Sequence, residues 1–167
     1  MTTLERAADQ SDVTARFRRA VETHDLEGVI ATLAPDVVLH SPITERVAFH
    51  GHDEMRELMR AHFATVENLR YFTDVGDAQT RAQFYRATVD GQQVEAATRV
   101  EVNDQAQISE ITIYYRPLPG LTALTATLGS HVVAARHGHR RALTARLLFA
   151  PLALVIRFGD HFATWFA

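Results

Sequence analysis

The chain has 167 residues, 47% of them apolar and 22% charged, which suits one globular domain with its own core and excludes wholesale disorder. It has no cysteine, so disulfides and thiolate metal sites are excluded. The net charge of −3 divides at Pro117: residues 1–117 hold 12 Arg against 19 acids, giving −7, and residues 118–167 hold 5 Arg against Asp160, giving +4. The acidic part is the one that reads as a folded module, so no nucleic-acid partner is expected. "MTTLERAADQSD" contains neither a basic leader nor an apolar stretch, and a cytoplasmic location is the expectation.

Val13, Phe17, Val21 and His24 recur at helical spacing; Asp25 then opens a second short helix with Leu26, Val29, Ile30 and Leu33, which Pro35 ends. "VVLHSPI", residues 37–43, reads as a strand over 37–41 in which His40 stands where the apolar run would continue. A short strand is expected near Val47 to His50. In "GHDEMRELMRAHFATV" the residues Met55, Leu58, Met59, His62, Phe63 and Val66 make one apolar helix face, and Asp53 and Glu54 oppose the helix dipole in its first turn. Beyond Glu67 the period falls to two in "LRYFTDV", "RAQFYRATV", "VEAATRVEV" and "ISEITIYYR", four strands of an antiparallel sheet.

Asp90-Gly91 is a two-residue hairpin turn of type I′, since both residues tolerate positive φ. Pairing outward from it sets Val89 opposite Gln92, Ala87 opposite Val94, Arg86 opposite Glu95, Tyr85 opposite Ala96 and Gln83 opposite Thr98. One face then carries Arg81, Gln83, Tyr85, Ala87, Val89, Val94, Ala96, Thr98 and Val100. Aliphatics mixed with small and polar residues predict a lined pocket there. The other face, with Arg86 across from Glu95, reads as a solvated or subunit-facing surface held by charge pairs. If "GDAQ" is a four-residue loop, Asp74 falls opposite Arg81 and the two either close on each other or leave the Arg to a ligand carboxylate or enolate.

The order of helix, short helix, strand, Gly-initiated helix and long antiparallel sheet is carried by "VETHDLEGVIATLAPDVVLHSPI", "FHGHDEM" and "ATVDGQQVEAATRVEVNDQAQISEITIYYRP". It resembles the nuclear transport factor 2-like superfamily, and within it the SnoaL-like polyketide cyclases and the steroid delta-isomerases, over roughly residues 11 to 117. The resemblance implies an α+β, cystatin-like cone in which a curved antiparallel sheet wraps around the N-terminal helices, and often a homodimer through the outer sheet face. It implies a cofactor-independent isomerase, cyclase or hydratase acting on a small apolar carbonyl or polyketide-like molecule, although the scaffold also hosts non-catalytic binders. In the steroid isomerase branch a strand-end carboxylate before a proline shuttles the proton, and the matched position, two before Pro42, is His40. That branch's oxyanion donors match Phe17 and Thr98, neither a strong donor.

His40 is accordingly the expected catalytic base, since an imidazole accepts and returns protons near neutral pH; the alternative is a histidine bonded to a backbone group at the strand end. His40→Ala is then expected to abolish turnover. Tyr85 is the expected partner that steadies the enolate oxygen, with Gln83 or Tyr115 as substitutes. Phe17, Val38, Met59, Phe63, Arg81, Gln83, Thr98 and Tyr115 are expected to contact the substrate. His50-Gly51-His52 and His137-Gly138-His139 lack a carboxylate or third His at ligand spacing, so neither a metal nor any other cofactor is expected. There is no GxSxG, Gly-rich phosphate loop or dinucleotide fingerprint.

Residues 118–167 lie outside the family unit and read as two or three helices, broken near His137-Gly138, at Pro151 and near Gly159. The apolar run "LLFAPLALVI" is half of the ~20 residues a spanning helix needs. These helices either pack over the acidic cone or a partner subunit, or lie in a membrane interface with Arg140, Arg141, Arg146 and Arg157 toward the headgroups. The opposite charges of the two parts favour packing on protein.

Overall fold

A computed structural model describes residues 3–137. In chain order the elements are α1 (Thr3–Glu22), α2 (Leu26–Ile30), β1 (Leu33–His40), β2 (Ala48–His50), α3 (Gly51–Thr65), β3 (Val66–Gly76), β4 (Thr80–Val89), β5 (Gln92–Val102), β6 (Ile108–Arg116) and α4 (Leu118–His137). The six strands form one sheet in the order β2-β1-β6-β5-β4-β3, with β1 parallel to β6 and every other pair antiparallel. The α+β class follows, with helices gathered on one face of the sheet.

Local chemistry accounts for most of the element ends. Asp25 caps α2, its carboxylate accepting from the Gly28 N–H at 2.9 Å. α2 stops at Ile30, so Leu33, expected to finish that helix, instead begins β1. Pro35 lies inside β1 at the irregularity between Leu33 and Val38 in the pairing with β6, where its missing N–H breaks no regular ladder. α3 begins at Gly51, whose φ of +66° lets the chain turn sharply out of β2.

The β4–β5 register is the one the turn predicts, from Val89↔Gln92 to Gln83↔Thr98. Asp90 and Gly91 have φ of 48° and 70°, as a type I′ turn demands. The β3–β4 register differs from the expectation by two residues: Gly76 pairs with Arg81, and Asp74 with Gln83. Asp77 is the cause, since its carboxylate accepts from the N–H groups of Gln79 and Thr80 at 2.9 and 2.7 Å and moves the turn one residue along the chain. A shift of two preserves the faces, so Arg81 Nε still reaches Asp74 Oδ1, at 2.6 Å.

The core lies between the concave sheet face and the helices, and includes Val13, Phe17, Val21, Val29, Met55, Leu58, Val94, Val100 and Ile111. The convex face carries charge pairs: Arg86–Glu95 at 3.0 Å, Arg116–Glu95 at 3.5 Å, and Arg99 on Glu110 and Glu101 at 2.7 and 3.4 Å. These exposed pairs contribute little individually. α4 packs on α3, β5 and β6 and places Ala123 and Leu124 in the core. Among the described residues no helix is long and apolar enough to cross a membrane. The helices expected beyond His137, with Arg140, Arg141, Arg146 and Arg157, lie outside the described residues.

Candidate functional site

The sheet curves away from the helices and leaves a cavity of about 390 Å³ between its concave face, α1, α3, the first turns of α4 and the loop after β1. This volume is within the ~300–1,000 Å³ common for small-molecule sites. α3 supplies Met55, Leu58, Met59 and His62, the i, i+3, i+4, i+7 stripe of one helix face. The sheet supplies Tyr71, Tyr85, Thr98, Ile113 and Tyr115 from four neighbouring strands. Ser41, Pro42, Ile43, Thr44 and Val47 form the mouth, where Ile43 and Val47 remain 47% and 41% exposed.

Polarity is confined to a few groups. The hydroxyls of Tyr85 and Tyr115 are 2.7 Å apart, their rings 6.1 Å apart and edge to face, and Tyr71 packs edge-on to Tyr85 at 5.3 Å. Burial raises the pKa of all three phenols. Tyr115 is pushed up to about 12, its rise moderated by the hydrogen bond it shares with Tyr85, while Tyr71 and Tyr85 are raised further by burial and then by the neighbouring phenols. All three are therefore neutral hydrogen-bond donors at ordinary pH. Within the Tyr85–Tyr115 pair one hydroxyl proton is engaged by the other oxygen, which leaves the second proton free for a ligand acceptor.

His62 faces the same space. Burial, and secondarily the nearby His24, pushes its imidazole down to about 4, so the ring is neutral at pH 7. None of the described lining residues is Asp, Glu, Lys or Arg. An occupant therefore meets hydroxyls, one imidazole and hydrocarbon.

Of the residues expected to contact a substrate, Phe17, Met59, Thr98 and Tyr115 line this cavity, as does Tyr85. His40 does not. Its side chain is 45% exposed and its Nε2 stands 3.5 Å from Glu110 Oε1 on the convex face. The strand period of two decides this: Leu39 and Ser41 turn inward, so His40 and Val38 turn outward. The inward position at the strand end is Ser41, directly before Pro42, and a serine hydroxyl is no base at neutral pH. Phe63 lies one position round the helix from His62 and stacks on His24 at 4.8 Å, outside the cavity lining.

Arg81 and Gln83 are likewise not lining residues. Both bind Asp74, with Arg81 Nε on Oδ1 at 2.6 Å and Gln83 Nε2 on Oδ2 at 3.3 Å, while Arg18 Nε approaches Oδ2 at 3.2 Å. The Asp74 side chain is only 8% exposed, so this group stabilises the sheet end and is not left open to a ligand carboxylate. His52 Nε2 lies 3.1 Å from the Leu33 carbonyl, and no group of three metal-ligating side chains occurs among the described residues. His139 is outside them. Sequence reasoning did not single out His62, Tyr71 or Ser41; His62 alone carried a signal, as the one titratable member of the apolar face of α3.

Known proteins agree with this architecture. A steroid delta-isomerase from Pseudomonas aeruginosa matches with TM-score 0.70 at 20% identity, over 77% of this chain and 94% of that one. A cystatin-like fold protein from Silicibacter pomeroyi matches with TM-score 0.67 at 20% identity, over 80% and 92%. An epoxide hydrolase/cyclase-like enzyme of pyran ring formation in the polyether salinomycin matches with TM-score 0.56 at 13% identity, over 64% and 90%. No curated protein sequence matches the chain. At these identities the structures speak for the fold alone. The sequence model of the SnoaL-like domain matches residues 14–112, more than half of the chain and the span that builds most of the cavity wall, and so this chain belongs to the SnoaL-like domain family of the nuclear transport factor 2-like superfamily.

Proposed function

We propose that the protein binds a small, uncharged, largely apolar carbonyl compound, and that its chemistry is of the cofactor-independent isomerase or cyclase kind. The observation that carries this reading is the Tyr85–Tyr115 hydroxyl pair at 2.7 Å, set in an otherwise apolar cavity. An ionised ligand would lose its hydration there without gaining a counter-charge, because none of the described lining residues is charged. A ligand carbonyl instead accepts the free proton of the pair. That hydrogen bond strengthens as the oxygen gains negative charge in an enolate-like transition state, and a preorganised donor in a water-poor site favours such a state. The steroid isomerase and cyclase-like enzymes of the same fold support the reaction class by analogy.

Calorimetric titration with 2-naphthol and with naphthalene tests the binding reading, since the pair differs only in a hydroxyl that mimics an enol. The hydroxyl is expected to improve affinity by about 1 kcal/mol, some fivefold, and Tyr85→Phe with Tyr115→Phe is expected to erase that difference while naphthalene still binds. Equal affinities of the wild-type protein for the two compounds would remove the role given to the tyrosine pair. Failure of both to bind would remove the cavity as an apolar ligand site.

A further inference from the structure

Resting on that reading, we propose that His62 is the proton carrier of the cavity, taking a hydrogen from the carbon next to a bound carbonyl and returning it to carbon of the same molecule. The geometry points to it first. His62 is the last residue of the stripe Met55, Leu58, Met59 and His62 that α3 turns into the cavity, and α3 packs across the space from the sheet that holds Tyr85 and Tyr115. Helix and sheet thus present a base and a donor to one enclosed volume. His40, expected to act here, lies on the far side of the sheet.

The other groups are unsuitable. None of the described lining residues is a carboxylate, and the phenols are protonated and so donate without accepting a carbon-bound proton. Serine and threonine hydroxyls are too weakly basic. Among the described residues nothing hydrogen-bonds the His62 ring; its contacts are the edge of Phe63 at 6.0 Å and the field of His24. Of the charged residues of α3, Arg56 is held by Glu27 and Asp53, and Glu54 accepts from the His50 N–H at 2.8 Å. A neutral ring with a free nitrogen is the form that a general base requires.

The step balances within the ligand. The C–H electron pair becomes the C=C of an enolate, the carbonyl π pair moves to oxygen under the free tyrosine proton, and His62 becomes imidazolium. Return of that proton to the γ-carbon of an enone moves the double bond, and return to the original carbon in heavy water exchanges hydrogen for deuterium. No oxidant, metal or second substrate enters.

The exchange reaction reads this out without knowledge of the natural ligand. With 2-tetralone in heavy water near neutral pH, proton NMR is expected to show the full-length protein accelerating loss of the α-proton signals over buffer. His62→Gln is expected to lower that acceleration at least about 100-fold while calorimetry finds 2-tetralone affinity within about twofold of wild type, and His40→Ala is expected to exchange at the wild-type rate. Wild-type rates in His62→Gln, or loss of exchange in His40→Ala, overturn the proposal. So does a wild-type protein that binds 2-tetralone without exchanging it, and in that case the binding reading survives alone. Absence of binding by 2-tetralone and 2-naphthol defeats both. If His62→Gln does not fold, the ring carbon resonance of His62 in wild-type protein must shift on addition of 2-naphthol, and an unmoved resonance is disproof.

Discussion

Acidification is expected to cost this protein stability through His62 in a calculable way. The ring titrates near 6.5 when the chain is unfolded and near 4 when it is folded, because burial beside the cavity penalises the imidazolium. A histidine with a depressed folded pKa leaves stability intact above pH 6.5 and loses it as the pH falls toward 4, since in that window only the unfolded state holds the extra proton. Between pH 7 and pH 5 the linkage relation gives a loss of about 2 kcal/mol, an upper figure because the ring is half-buried and water in the cavity would soften the shift. The perturbation is His62→Gln, which removes the titration. Urea unfolding of both proteins at both pH values is the assay. Subtracting variant from wild type cancels the carboxylates and the other histidines, and the wild-type advantage should shrink by up to about 2 kcal/mol on going to pH 5. A difference constant within about 0.5 kcal/mol across that range would refute the burial of a neutral imidazole, and with it the state required of His62 as a base.

Two further outcomes test how the cavity is built. Asp74→Asn leaves Arg18 and Arg81 facing each other across a side chain that is only 8% exposed, and is expected to cost about 2–3 kcal/mol in urea unfolding, whereas a change under about 0.5 kcal/mol would mean that the guanidiniums are already solvated. Gly120 lies in the first turn of α4 against Val94, where an added Cβ would meet Val94 Cγ1, so Gly120→Ala should cost about 1–3 kcal/mol by overpacking. Val94→Ala in the same chain should recover part of that loss, and strict additivity of the two substitutions in thermal or urea unfolding would deny the contact.

The β4–β5 hairpin was legible because Asp90-Gly91 has a local conformational requirement, and one turn type fixes every pair along both strands. The face carrying Tyr85, Ala96 and Thr98 could therefore be placed inside the cone without coordinates. α3 was legible from its 3.6 period, and Asp25 as a cap from its residue type. The β3–β4 register was not, since it turned on the Asp77 side chain choosing backbone partners two and three residues on, which composition does not specify.

The site itself was only half legible, and β1 shows why. "VVLHSPI" has three apolar residues in succession, so its alternation gives no phase, and a shift of one residue exchanges the two faces. The sequence by itself determined the α+β elements, the hairpin register and the apolar faces, because each depends on interactions within a few residues of chain. Only the tertiary structure decided that β1 joins β6 in parallel with Leu39 and Ser41 inward and His40 beside Glu110, and that His62 shares a cavity with Tyr71, Tyr85 and Tyr115. Those facts depend on how separate elements are phased against one another across the core, a choice made by packing of the whole domain and written in no single segment.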